Sequence, residues 1–214
     1  MILSYDNKVQ NKKLNSKTIY YGVELEVSVK SFLEKDSRGY NSYRDQIASR
    51  ANTIFPHFDK HDFIFKWDSS VIHGYEIVTP ALTFDKQKEV WVELINILND
   101  KGYCSYEAPC NGMHIHVSKR PLTRLQIAKI IKFVYSRDNR RMIRKIAQRH
   151  EKDQASFRGK RSYGHWREGL FDRHTAINIT NETLEFRLFK GTLSLEAFYK
   201  NLEFCRALID FCYT

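Results

Sequence analysis

The stretch Thr18-Ile-Tyr-Tyr-Gly-Val-Glu-Leu-Glu-Val-Ser-Val-Lys30 decides the fold class. It is rich in β-branched and aromatic residues, and apolar and polar positions alternate from Val23 to Val29. Side chains of a strand point alternately to opposite faces of a sheet, so this is a strand with one apolar and one polar face. Val23, Leu25 and Val27 then belong to a core, and Glu24 and Glu26 to the other face. Residues 62–67, DFIFKW, and 73–79, HGYEIVT, read as two further strands with a turn at Asp68-Ser69-Ser70, the second closed by Pro80. Met113–Ser118 is a short strand, and 175–180 and 183–189 are two strands around a turn at Asn181-Glu182.

Between these strands the period changes to that of a helix. A helix is predicted over 42–55, where Ser42 followed by Asp45 resembles a capping box. Another runs over 84–99, with Val90, Trp91, Leu94, Ile95 and Leu98 on one side and Gly102 as its stop. A third starts at Pro121 and Thr123 and breaks near Arg137, and a fourth starts at Ser194 and runs almost to the end of the chain. Residues 30–41 and 150–170 read as loops. Strands and helices mix without regular βαβ alternation, which predicts an α+β fold: a mostly antiparallel sheet with packed helices. No internal repeat or Ser/Gly/Pro-rich linker divides the chain, so residues 19–214 are expected to form one domain behind a polar segment, 1–18.

The 214 residues are 42 % hydrophobic and 14 % aromatic, with only 9 Gly and 4 Pro, which excludes collagen-like and low-complexity chains. No run of 18 apolar residues is present, so no transmembrane helix and no membrane partner are expected. The opening residues are polar and lack a signal-peptide core, which predicts a cytoplasmic location. Cys104, Cys110, Cys205 and Cys212 form no C-x-x-C pair or zinc-finger spacing. Cys205 and Cys212 lie seven apart, share a helix face and read as core thiols.

The formal charge is +10, and 137–167 carries a net +8 of it. Such a stretch, a basic helix and loop insertion over 137–170, attracts phosphate or an anionic macromolecule. A solvated basic helix accounts for it equally well.

Three pairs with i, i+2 spacing carry the chemistry: Glu24 and Glu26, His114 and His116, Glu185 and Arg187. Within a strand, members of such a pair share a face. Each pair alone is also what a wet strand face looks like; Glu76, in Gly74-Tyr-Glu-Ile-Val-Thr-Pro80, is weaker still by itself. If the strands adjoin, one sheet face gathers four carboxylates, two imidazoles and an arginine. Carboxylates so crowded raise each other's pKa unless a cation sits among them. A carboxylate-dominated set suits Mg²⁺ or Mn²⁺ better than zinc. Arg187 and Arg173 then read as clamps for a carboxylate or phosphate. No P-loop, G-x-G-x-x-G or G-x-S-x-G motif is present.

Five motifs in order resemble the amidoligase family of carboxylate–amine ligases, which have a glutamine synthetase-like catalytic domain. They are Gly22-Val-Glu-Leu-Glu-Val27, Trp67-Asp-Ser-Ser70 with Gly74–Pro80, Asn111-Gly-Met-His-Ile-His-Val-Ser118, Arg173-His-Thr-Ala-Ile-Asn178, and Thr183-Leu-Glu-Phe-Arg-Leu-Phe-Lys-Gly-Thr-Leu193. The resemblance covers about residues 19–212 and implies an ATP-dependent ligase that activates a carboxylate as an acyl phosphate and joins it to an amine. It implies Glu24, Glu26, Glu76, His114 and Glu185 as ligands of Mg²⁺ or Mn²⁺. His116 would be a neighbour that touches substrate or phosphate. Arg187 would meet the substrate carboxylate or the transferred phosphoryl, Arg173 would bind phosphate, and Asp68 would orient the amine or a ligand. Arg158, Lys160, Arg161 and Arg167 are candidates for a flap over ATP. With about 20 residues ahead of Glu24, the N-terminal β-grasp-like domain of glutamine synthetases and their ring assembly are not expected. Two other readings stand beside this one. One is an inactive member whose basic stretch binds nucleic acid or protein; the other is a metallohydrolase built on His114, His116 and Glu24 or Glu26.

Overall fold

The alternating stretch becomes strand β1 (Tyr21–Val29), at the centre of the sheet seen in a computed structural model that describes residues 3–9, 14–36, 43–149 and 175–213. The chain continues through α1 (Lys30–Lys35), α2 (Arg44–Asp59), β2 (Ile64–Lys66), β3 (Gly74–Val78) and α3 (Phe84–Asp100). It then forms β4 (Tyr103–Cys104), β5 (Gly112–Ser118), α4 (Arg124–Tyr135), α5 (Arg140–Ala147), β6 (Ile177–Ile179), β7 (Thr183–Lys190) and α6 (Leu195–Tyr213). The strand order is β2-β3-β1-β5-β7-β6, with β4 paired to the end of β1, and every strand pair is antiparallel. The fold is therefore α+β, as the sequence predicts.

One face of the sheet is apolar. Val23, Leu25, Val27, Ile77, Ile115 and Phe186 are fully buried on it. Helices α2, α3 and α6 pack there. Trp91 of α3 lies 5.5 Å from the ring of Phe63 and 4.9 Å from Phe198 of α6, and Phe58 of α2 lies 5.0 Å from Phe65. Each such side chain removed from water contributes about 1.5–3 kcal/mol. Gly74 lets β3 approach β1: a Cβ there would stand 1.8 Å from the Val27 carbonyl oxygen.

Helix α3 stops before Gly102, whose φ of +74° favours glycine. Thr123 caps α4 in a capping box closed by Gln126. Three local expectations need correction. Helix α2 runs through Pro56 to Asp59, beyond the predicted end at 55, because Phe58 in its last turn is buried against Phe63 and Phe65. Its N-cap is Tyr43, with no side-chain cap bond; Ser42 lies outside the described residues. Residues 30–35, read as loop, form α1, which buries Phe32. Of the basic stretch, α5 is described, whereas Arg158, Lys160, Arg161, Arg167 and Arg173 lie outside the described residues. Among the described residues no helix is long and apolar enough to cross a membrane.

Candidate active site

Antiparallel register carries the polar positions of six strands into one row on the face opposite the core. Glu24 is paired with His114, Glu26 with Glu76, Glu76 with Lys66, His116 with Glu185, and Glu185 with Asn178. The apolar alternation that builds the core thus also delivers the row. Glu26, Glu76, His114 and Glu185 are buried, and Glu24 and His116 are half-buried.

Glu24 stands at the middle. Its Oε2 is 3.3 Å from His114 Nδ1, and its Oε1 is 3.1 Å from His116 Nε2. His114 Nδ1 is also 3.7 Å from Glu185 Oε1, and its Nε2 is 3.9 Å from Glu26 Oε1. Two three-residue sets, Glu24–His116–Glu185 and Glu24–Glu76–His114, each bring one ligand atom per residue within 4.8 Å of one another. Glu24 belongs to both. His116, expected beside the ligands, is in the first set. Glu26 is in neither: its Oε2 accepts the Gly112 N–H.

Burial acts to raise the Glu24 carboxyl, but the His116 imidazole and hydrogen bonds from both histidines outweigh it and hold the carboxyl well below the usual range. Glu76 behaves oppositely. Burial, then the neighbouring Glu24 carboxylate, push it well above that range, and Lys66 opposes while Glu26 and Asp68 add. Burial acts to lower His116, yet Glu24 and Glu185 leave it raised. A carboxyl pushed up beside one held down, with two imidazoles in contact, is a site suited to a divalent cation.

Cations close both ends of the row. Arg187 Nη1 donates to Glu185 Oε1. Lys66 Nζ, about one-third exposed, is 3.7 Å from Glu76 Oε2. The Arg187 Nε and the Asn178 Oδ1 are buried without a partner among the described residues, although Asn178 Nδ2 donates to Glu185 Oε2 at 2.7 Å. Asp68 lies in the β2–β3 connection, where its Oδ1 accepts the N–H and hydroxyl of Ser70. A cavity of about 560 Å³ opens beside the middle of the row, with Glu24, His116, Tyr20 and Thr183 in its wall. A larger opening of about 680 Å³, beside β4 and the start of α6, contains none of the row.

Three residues of this neighbourhood escape motif reading. Lys66 is invisible because it ends an apolar strand with no partner in sequence. Asn178 belongs to a quoted motif but carries no signal of its own. Arg149 reads as one more basic residue, yet its guanidinium donates to the carbonyls of Arg187 and Cys110. It lies so close to β5 that a Cβ at Gly112 would be 2.6 Å from its Nη2 and 3.2 Å from His114 Nε2.

The molecule is thus an α+β protein whose antiparallel sheet packs α2, α3 and α6 on one face and gathers carboxylates, imidazoles and an arginine on the other. A family model described as “putative amidoligase enzyme” matches residues 6–157, and the chain belongs to that family. The match takes in Glu24, Glu26, Asp68, Glu76, His114 and His116; β7, with Glu185 and Arg187, lies beyond it. No curated protein matches the chain.

Proposed function

We propose that this amidoligase is an ATP- and divalent-metal-dependent carboxylate–amine ligase with a glutamine synthetase-like catalytic fold, acting through an acyl phosphate. The observation that carries the reading is the sharing of Glu24 by two ligand sets, with Arg187 against Glu185 at the edge of one of them. In this reading Glu24, Glu76 and His114 hold one Mg²⁺ or Mn²⁺, and Glu24, His116 and Glu185 hold a second. Bound there, divalent cations neutralise the phosphate oxygens of ATP.

The protein's own part is to align anions that otherwise repel. Arg187, whose buried Nε has no partner among the described residues, holds the substrate carboxylate or the γ-phosphoryl group. The carboxylate oxygen attacks the γ-phosphorus and ADP leaves. The amine nitrogen then attacks the acyl carbon, phosphate leaves, and the nitrogen gives up a proton. Asp68 orients the amine through the carboxylate oxygen not engaged by Ser70. Glu26, fixed by Gly112, shapes the floor under His114. Arg173, Arg158, Lys160 and Arg161 remain candidates for phosphate on the basis of sequence alone. Hydroxylamine supplied in place of the amine tests the chemistry. ADP and a hydroxamate formed together from a carboxylate, ATP and Mg²⁺ support the acyl phosphate; ADP release without hydroxamate contradicts it.

A further inference from the structure

The whole formal charge of the chain sits on one segment. From Lys119 to Arg149 there are eleven Lys or Arg and a single acid, Asp138, a net of +10; the remaining residues sum to zero. That segment folds as α4 and α5, which turn Ile130, Ile131, Val134, Ile143 and Ala147 inward. Lys129, Lys132, Arg137, Arg140, Arg141 and Lys145 are therefore left exposed on the outer side. Lys129, Lys132, Arg137, Arg141 and Lys145 form no ion pair among the described residues. An exposed face with these five cations attracts a polyanion.

The same face has a groove. A cavity of about 390 Å³ runs between α4, the turn before α5 and the end of α6, lined by Lys129, Lys132, Phe133, Ser136, Asn139 and Phe211, with no carboxylate in its wall. The Phe211 ring is 67 % exposed and stands 5.9 Å from Phe133. Two ammonium groups beside an exposed aromatic ring match the two parts of an unpaired nucleotide, a phosphate and a base face. An acidic peptide satisfies the lysines but has no flat ring for Phe211, and a duplex keeps its bases stacked away from the protein.

We propose that the outer face of α4 and α5 docks single-stranded nucleic acid, with phosphates on Lys129 and Lys132 and a base against Phe211. This face is separate from the carboxylate row, and the inference does not depend on the ligase reading. The test is fluorescence anisotropy with a labelled oligothymidylate of about 15 nucleotides. With about four phosphates neutralised, affinity falls about 50-fold between about 50 and 200 mM salt. Lys129→Gln with Lys132→Gln flattens that slope by about 1.4. Phe211→Ala weakens binding about tenfold or more and leaves the slope unchanged. Glu185→Gln binds as wild type does. Circular dichroism verifies that each variant is folded. The proposal is overturned by no binding at the lowest salt, by a lysine pair variant with an unchanged slope, or by a duplex that binds as tightly as the single strand. Equal competition by a polyglutamate peptide also overturns it and makes the face a dock for acidic protein.

Discussion

Glu24 of β1 and His114 of β5 occupy directly paired positions, with the imidazole Nδ1 3.3 Å from the carboxylate. Their contact ties the two ligand sets together, because Glu24 is the residue both sets share. Removing it therefore affects more than removing any other member.

Mn²⁺ titration followed by electron paramagnetic resonance measures this directly. Wild type takes up two ions. Glu76→Gln and Glu185→Gln each lose one, and Glu24→Gln loses both. Loss of a single ion in Glu24→Gln breaks the shared-ligand arrangement.

Protons compete with the cation at Glu76. Its carboxyl is raised by burial and by Glu24, so between the ordinary carboxylate pKa and its own it retains a proton that the metal must displace. Mn²⁺ affinity accordingly rises with pH, by about tenfold per unit while one proton is released. The same group makes the metal-free fold less stable as pH climbs above the usual carboxylate range, since the unfolded chain ionises first. Glu24, held low, acts in the other direction: its stabilisation is present above that range and is lost as pH falls below it. Thermal melts at pH 8 without metal should show Glu76→Gln more stable than wild type, each kcal/mol gained moving Tm by about 2–4 °C.

Arg187→Lys keeps a charge but loses the two-pronged donor geometry. Turnover is expected to fall by about 10²–10³ while Mn²⁺ stoichiometry stays at two. Steady-state kinetics on the hydroxamate assay, paired with the Mn²⁺ titration, separates the two effects.

Two glycines separate fold from site. Gly74→Ala drives a Cβ into the Val27 carbonyl between two central strands, and destabilisation of about 1–3 kcal/mol or more is expected in urea unfolding. Gly112→Ala presses on the far end of Arg149 and on His114 Nε2 instead. It should leave most of the stability in place and weaken Mn²⁺ binding.

The fold was readable because one alternation served both faces: the period that makes Val23, Leu25 and Val27 a core makes Glu24 and Glu26 a row. The antiparallel class followed from the element order. What stayed hidden is cross-strand pairing. Sequence spacing shows that His114 and His116 share a face, but only register reveals that His116 is paired across strands with Glu185 and His114 with Glu24, which brings both imidazoles to the Glu24 carboxylate. Register likewise brings Glu26 against Gly112 and Lys66 against Glu76, relations with no local signal. Phe58 carried α2 past Pro56 because a tertiary contact outweighed the local helix-breaking cue.

The central claim is that ATP binds through divalent metal on the Glu24-centred row. Calorimetric titration of ATP into wild type and Glu24→Gln, each with and without Mn²⁺, tests it most directly. Wild type should bind ATP only with Mn²⁺, and a folded Glu24→Gln should not bind it at all; ATP bound equally well by both proteins, or by wild type without metal, rules out binding through metal on this row.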